Sequence, residues 1–307
     1  MPAYTLRQLK YFITTVECGS VAEASRTLYI AQPAIATAIK NLEASFDVQL
    51  FIRHPAQGVS LTPAGARFHA RAIALLRAAG DFERDALADS DTLTGQIDIA
   101  CFETVAPLYL PGLLSVFRER YPGIAIRLHD GEQQELIQGL TGGRFDLAIM
   151  YDSDLDGTIA TASLMAPHRP YVLLPAHHRL ARHERVSMHD LADEPMVLLD
   201  VLPSRTYFIG LFEALGLTPN IAFSSPSIEM VRGLVGQGFG FSILVTRPRS
   251  DVSYDGRSLV CLDIVEQVGE ASLVAAWPKR APLSRQAALF LACCQSALAA
   301  GPRDALQ

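Results

Sequence analysis

The sequence predicts an α/β chain in three parts: a small helical head with a β-hairpin, one long connecting helix, and a larger body of alternating strands and helices. Three observations predict it. Residues 20–43, SVAEASRTLYIAQPAIATAIKNLE, fit two short helices joined at a tight corner. Phe68, Leu75 and Phe82 recur at heptad spacing, with Ala72, Ala79 and Ala86 interleaved, inside a helical run that opens at Thr62-Pro63. From Gln96 onward, short apolar runs alternate with helical periodicity, which implies right-handed βαβ crossovers and a largely parallel sheet.

In chain order, Leu6, Leu9, Phe12, Ile13 and Val16 form an amphipathic first helix that ends near Gly19. Ser20 and Glu23 stand at capping-box spacing and open the second. Gln32-Pro33 opens the third, since proline costs nothing in a first turn. Ile35, Ile39 and Leu42 give that helix an apolar stripe, and Ala36, Thr37, Lys40 and Asn41 fall on its other face. Small and polar side chains of that kind suit a helix lying in a DNA major groove, although the spacing alone also fits an ordinary helical pair in a core. Residues 48–53 and 59–62, around a Pro55/Gly58 turn, predict a β-hairpin wing that carries Arg53. Thr62 as cap and Pro63 at the first helical position start the long helix, expected to run to about Leu93. Polar residues flank its seam (Arg71, Arg77, Asp81, Arg84, Asp85), so the seam is expected to pair with a second copy of itself. Strands are then expected at 96–100, 124–128, 145–150, 171–174, 196–199, 221–223, 239–245, 259–262 and 272–276, and helices at 108–120, 133–140, 204–215, 227–235 and 284–298.

Length and composition bound the function. The chain has 307 residues, enough for about two domains. Its net charge is −6, but residues 1–62 carry five basic against four acidic side chains, so the head alone suits a modest DNA footprint. No signal-peptide segment is visible, and the apolar run 287–300 is too short to span a bilayer, so no membrane partner is expected. Five cysteines, an odd number with Cys293 and Cys294 adjacent, fit a reducing cytoplasm and burial rather than disulfides. His177, His178, His183 and His189 cluster without ligand-pair spacing, and no nucleophile–base arrangement can be assembled. No catalytic residue, metal or cofactor is therefore expected.

On the residues just named, the chain resembles the LysR-type transcriptional regulators over essentially its whole length. The resemblance is carried by Leu6-Arg7-Gln8-Leu9 with Phe12, Gly19-Ser20, Ala22, Ala24, Gln32-Pro33-Ala34, Ile39, Leu42-Glu43, Leu50-Phe51 with Arg53, and Leu61-Thr62-Pro63-Ala64-Gly65. Looser matches follow at Leu110-Pro111, Phe117, Pro122, 143–148, Leu174-Pro175, His178 and 238–240. The resemblance implies a winged helix-turn-helix DNA-binding domain at 1–62, a linker and dimerisation helix at 63–94, and a two-subdomain periplasmic-binding-protein-like effector domain at 95–301. Subdomain one would comprise 95–165 and 270–301, and subdomain two 166–269. The family often has Ser or Thr where this chain has Ala31, and Ser then a basic residue where it has Ala36 and Thr37.

The expected sites follow. Gln32, Pro33, Ala36, Thr37 and Lys40 would face double-stranded DNA, with Gln suited to adenine, Ala to the thymine methyl, and Lys to guanine or phosphate. Arg53 would touch the backbone or minor groove from the wing. Phe68, Ala72, Leu75, Ala79 and Phe82 would hold a homodimer, or a homotetramer built from two dimers. The resemblance places Thr104 and Gln133 in an effector cleft. Ser204, Arg205 and Thr206 open a helix whose N–H groups and guanidinium would suit a small-molecule carboxylate, although Glu103, Asp130 and Glu132 stand near the same mouth. RNA polymerase is a further expected partner. The alternative is a cytoplasmic small-molecule-binding protein or enzyme on the same cleft fold, without DNA regulation.

Overall fold

The computed structural model describes residues 4–54, 58–87 and 93–299. Thr5 opens α1 (Leu6–Cys18) with a capping box: its hydroxyl accepts the Gln8 N–H at 3.2 Å, and the Gln8 amide oxygen accepts the Thr5 N–H at 2.7 Å. Such reciprocal bonds satisfy two donors that a helix start would leave open. Ser20 caps α2 (Val21–Leu28) by accepting the Glu23 N–H at 3.1 Å. The box expected there is only half formed, because the Glu23 carboxylate pairs with Arg26 at 2.8 Å, one turn further along an exposed face. Helix α3 (Gln32–Phe46) starts with no side-chain cap, since Ala31 occupies the cap position. Its inner face buries Ile35, Ala38, Ile39 and Leu42. Glu43 then accepts the N–H groups of Leu50 and Phe51, at 2.8 and 3.3 Å, and so fastens β1 (Phe51–His54) to α3. Strand β2 (Gly58–Leu61) pairs antiparallel with β1 and completes the wing.

Helix α4 (Pro63–Leu87) is capped by Thr62, which accepts the Gly65 N–H at 2.8 Å and donates to the Gln49 carbonyl at 2.6 Å. A β-carbon on Gly65 would stand 2.1 Å from the Leu50 carbonyl oxygen, so only glycine lets α4 approach the wing this closely. Leu93 is not helical, and the helix is described only to Leu87. The Pro55 turn, residues 88–92, and the side chains of Ala86 and of the seam flankers Arg77, Asp81, Arg84 and Asp85 lie outside what is described.

The predicted seam on α4 divides in two, which corrects the expectation of one continuous dimer surface. Phe68 stacks edge-on against Phe12 and Phe46 of its own head, with ring centroids at 5.3 and 5.0 Å, and Ala72 is buried in the same core. The reason is that α1 crosses the first turns of α4 and takes that stripe for itself. Leu75 and Phe82 remain exposed, at 38% and 75%, and Ala79 is half-buried.

The body holds two sheets. The first has the order β4 (Ile124–Gly131), β3 (Gly95–Phe102), β5 (Leu147–Tyr151), β13 (Leu273–Pro278), β6 (Ile159–Ser163). Strand β3 runs parallel to β4 and β5, while β13 runs antiparallel to β5 and β6. The second group contains β11 (Ser242–Leu244), β7 (Tyr171–Pro175), β12 (Leu259–Ile264) and β8 (Arg185–Val186), in that order, with β10 (Asn220–Ser225) and β9 (Pro195–Leu199) paired alongside. A parallel bridge, Met196 to Phe241, joins the two pieces of this group. The largely parallel sheet expected from the sequence is thus half right. The chain leaves the first sheet, builds the second, and returns as β13, and a returning strand runs against its neighbours. Backbone bonds between His168 and Ala271, at 2.8 and 2.9 Å, tie the outgoing segment to the returning one. The sequence reading missed β6, β8 and the 3-10 turn Met188–Leu191.

Helices α5 (Ala106–Arg120), α6 (Gln133–Thr141) and α9 (Arg285–Ala299) cover the first sheet, with Phe117 of α5 edge-on to Phe290 of α9 at 5.1 Å. Helices α7 (Ser204–Glu213) and α8 (Ile228–Gly236) cover the second. Arg232 of α8 is 2% exposed: it pairs with Glu229 at 3.2 Å and donates to the carbonyls of Ser250 and Val252, at 2.7 and 3.0 Å, pinning the loop after β11. Gly143 (φ 69) follows α6 and rests on α4, where an added β-carbon would lie 2.9 Å from that of Ala74. The body therefore docks on the long helix through small residues. Among the described residues no helix is long and apolar enough to cross a membrane.

Candidate nucleic-acid interface and ligand cleft

The head displays one face of α3 to solvent. Gln32, Pro33 and Ala36 border an open hollow together with Val21 and Ser25 of α2, and Arg53 of β1 borders it from the wing. Gln32, Ala36 and Lys40 lie four residues apart, so they share one side of the helix. Thr37 and Lys40 are exposed beside them, and Ala36 is half-buried. Four of the six residues expected to meet DNA, Gln32, Pro33, Ala36 and Arg53, thus border one hollow, and the helix that carries all but Arg53 is backed by Ile35, Ile39 and Leu42 at 0–2% exposure. That packing holds the display rigid, because the helix cannot rotate without exposing its stripe.

A pocket of about 70 Å³ lies where the two sheets of the body face each other. Ligands of open parallel sheets bind beyond the carboxyl ends of the strands, and this pocket sits beyond the ends of β3 and β5. Thr104 and Tyr151 line it from the first sheet, with Asp152 and Ser153. Ser204, Tyr207 and Phe208 of α7 and Leu244 to Thr246 line it from the second. Glu270 and Ala271 close it from the returning segment. Tyr151 and Thr246 thus put hydroxyls on the pocket from opposite sheets. Burial drives the Tyr151 phenol far above its ordinary pKa. Burial, then the nearby Glu270 carboxylate, push Tyr207 up to about 12, and its hydroxyl donates to the Gly269 carbonyl at 2.5 Å.

The sequence-derived cleft residues divide. Thr104 and Ser204 meet across the pocket. Gln133 lies behind the wall: it is 3% exposed, and its amide nitrogen donates to the Ser153 carbonyl. Arg205 and Thr206 do not line the pocket, which corrects their assignment; both are exposed, and Arg205 pairs with Asp200 at 2.8 Å. Successive helical residues turn by about 100°, so with Ser204 facing inward the next two point away. The guanidinium that favoured a carboxylate is committed elsewhere. Sequence reasoning missed Tyr151, Tyr207, Thr246 and Glu270, which carry no motif. Glu103, at the same end of β3, is raised above the ordinary carboxylate range by burial and by repulsion from Glu132 and Asp130.

A larger open groove of about 690 Å³ separates α1 and α4 from β3, β4 and Phe145. Its arginines are already paired, Arg127 with Asp98 at 2.6 Å and Arg144 with Glu135 at 3.0 Å. Of the histidine cluster, His178 lies 3.8 Å from Glu194, and among the described residues no three side chains are grouped to hold a metal.

Comparisons with known proteins agree with this architecture. Residues 6–66 match the bacterial regulatory helix-turn-helix protein, lysR family, and residues 90–299 match the LysR substrate binding domain. The uncharacterized HTH-type transcriptional regulator YvbU of Bacillus subtilis is 30% identical over 257 residues, covering 83% of this chain and 84% of that protein. The crystal structure of HinK, a LysR family transcriptional regulator from Pseudomonas aeruginosa, is 65% identical and covers 96% of this chain and 98% of its own, with a TM-score of 0.66. Full-length CbnR complexed with its target DNA is 24% identical, covers 95% of this chain and 99% of its own, and shares the fold at a TM-score of 0.65.

Proposed function

The chain belongs to the LysR-type transcriptional regulators, and from that premise we propose how its two sites divide the work of DNA binding and effector sensing. It is a DNA-binding regulator with an effector-binding domain. Helix α3 enters the major groove of an operator, with Gln32, Ala36 and Thr37 at base edges and Lys40 and Arg53 on phosphate. Two heads act together, held by the free part of the α4 seam at Leu75 and Phe82. A small-molecule effector in the cleft bridges two lobes, and its occupancy favours one angle between them. Only a ligand with different affinity for the two angles can drive such a switch. RNA polymerase is the partner through which bound operator becomes a change in transcription, and the cytoplasm is the expected compartment.

One observation supports the DNA assignment: Gln32, Pro33 and Ala36 of α3 border one open hollow with Arg53, which arrives from a separate strand. The test is selection of an operator from genomic fragments, followed by fluorescence anisotropy across a salt series. Lys40→Ala and Arg53→Ala should each weaken binding and lower the salt slope by about one unit, since each phosphate contact releases about one counterion. Unchanged affinity and slope in both variants would remove the assignment.

A further inference from the structure

We propose that the cleft selects a small organic amine, a ligand that brings a positive charge and N–H donors, rather than a carboxylate. The inference rests on the cleft being the effector site. Its first support is the set of acceptors on the walls: the Asp152 and Glu270 carboxylates and the Ser153 and Ser204 hydroxyls all stand on the pocket lining, where a ligand carrying N–H groups can meet them.

The second support is charge. Asp152 and Glu270 stand on the pocket lining, and no lysine, arginine or histidine does. Arg205, the guanidinium expected there from the sequence, is paired with Asp200. At the same end of β3, burial first and then the neighbouring Glu132 and Asp130 carboxylates raise the Glu103 carboxyl. The third support is aromatic. Tyr151, Tyr207 and Phe208 line the same pocket, and ring faces attract cations. The competing attraction for an anion is the start of α7, where the Arg205 and Tyr207 N–H groups are already bonded to Val201 and Pro203, at 2.9 and 3.0 Å. At about 70 Å³ the pocket is roughly half the size of a cavity that admits benzene, so the ligand is small or the lobes part to admit it.

The experiment is a thermal-shift titration of the full chain with matched pairs: n-butylamine against butyrate, and benzylamine against benzoate. The amines are expected to raise the melting temperature and the acids to leave it unchanged. Glu270→Gln and Asp152→Asn keep the shape and remove the charge, and each should weaken the amine response by about tenfold, the loss of one charge-assisted contact. Stabilisation by the acids and not the amines, by neither class, or by amines equally in both variants, overturns the proposal. A cleft-filling Ser153→Trp separates the two readings. An acid response abolished by that variant leaves the cleft as the effector site and overturns the ligand class alone. An amine or acid response that survives it overturns the site as well.

Discussion

The head and the cleft treat polar side chains in opposite ways. On α3, Gln32, Thr37 and Lys40 stand in water, backed by a dry stripe. Around the cleft, Thr104, Ser204 and Thr246 on the lining and Gln133 behind it are 3–8% exposed, withdrawn from water before any ligand arrives. The difference follows from what each surface meets. A duplex is long, uniformly charged and approached through solvent, so hydrated charges on a rigid face suffice and salt weakens them. A small molecule offers few contacts, so each must be desolvated and held in place beforehand.

Four changes would break or sharpen that contrast. The largest effect is expected from Leu75→Asp, which sets a charge in the free part of the seam between heads. Sedimentation should show dissociated subunits with unchanged circular dichroism; an intact oligomer of normal mass would mean that the seam does no pairing. Next comes Arg232→Leu in the body. It strands the Glu229 carboxylate, 22% exposed, and should cost about 3–5 kcal/mol in urea unfolding, the range for breaking a buried pair. A loss below about 1 kcal/mol, the scale of a surface pair, would mean that the loop after β11 holds itself. In the head, Ala31→Ser supplies the cap that α3 lacks, at an extended backbone already suited to it (φ −61, ψ 135). A gain of about 0.5–2 kcal/mol is expected, read as a higher melting temperature. No gain would show that the start of α3 is satisfied by other means.

The smallest effect concerns Glu103. Its folded pKa lies above the unfolded value, so folding favours its protonated form. That stability is present below the ordinary glutamate range and is lost as pH rises through the raised value. Glu103→Gln should therefore melt above the parent chain near neutrality, with the gap closing in acid. A gap that stays constant with pH would place the effect in packing rather than charge.

Legibility followed the same divide. The head was readable because its signals are local: Gln32-Pro33, the stripe at Ile35, Ile39 and Leu42, and Thr62-Pro63 each lie within a few residues of what they organise. The cleft was not. Its walls come from positions as far apart as Thr104 and Ala271, and nothing in the spacing of Tyr151, Tyr207, Thr246 and Glu270 says that they meet. Arg205 shows the failure at finest grain. Its neighbour Ser204 lines the pocket, and which of three consecutive helical residues faces inward depends on the rotation of α7 against the second sheet. The seam on α4 failed for a related reason. The heptad was real, but Phe68 and Ala72 were claimed by α1, which a repeat in one helix cannot disclose.

The contact between Gly143 and Ala74 sets α4 up as a lever. The helix spans 25 residues, about 37 Å of rigid rod. Its middle, at Ala74, is gripped by a glycine turn that follows α6, and its first turns are built into the head through Phe68 and Gly65. From Ala74 to Pro63 the rod measures about 16 Å, so a tilt of about 10° at the grip would carry the head end through roughly 3 Å, close to one base-pair step of about 3.4 Å. Successive major grooves present themselves once per turn, so a displacement of that size decides whether two heads find their half-sites together or only one at a time. Small angular changes in the body would thereby be amplified into a choice of register along the duplex.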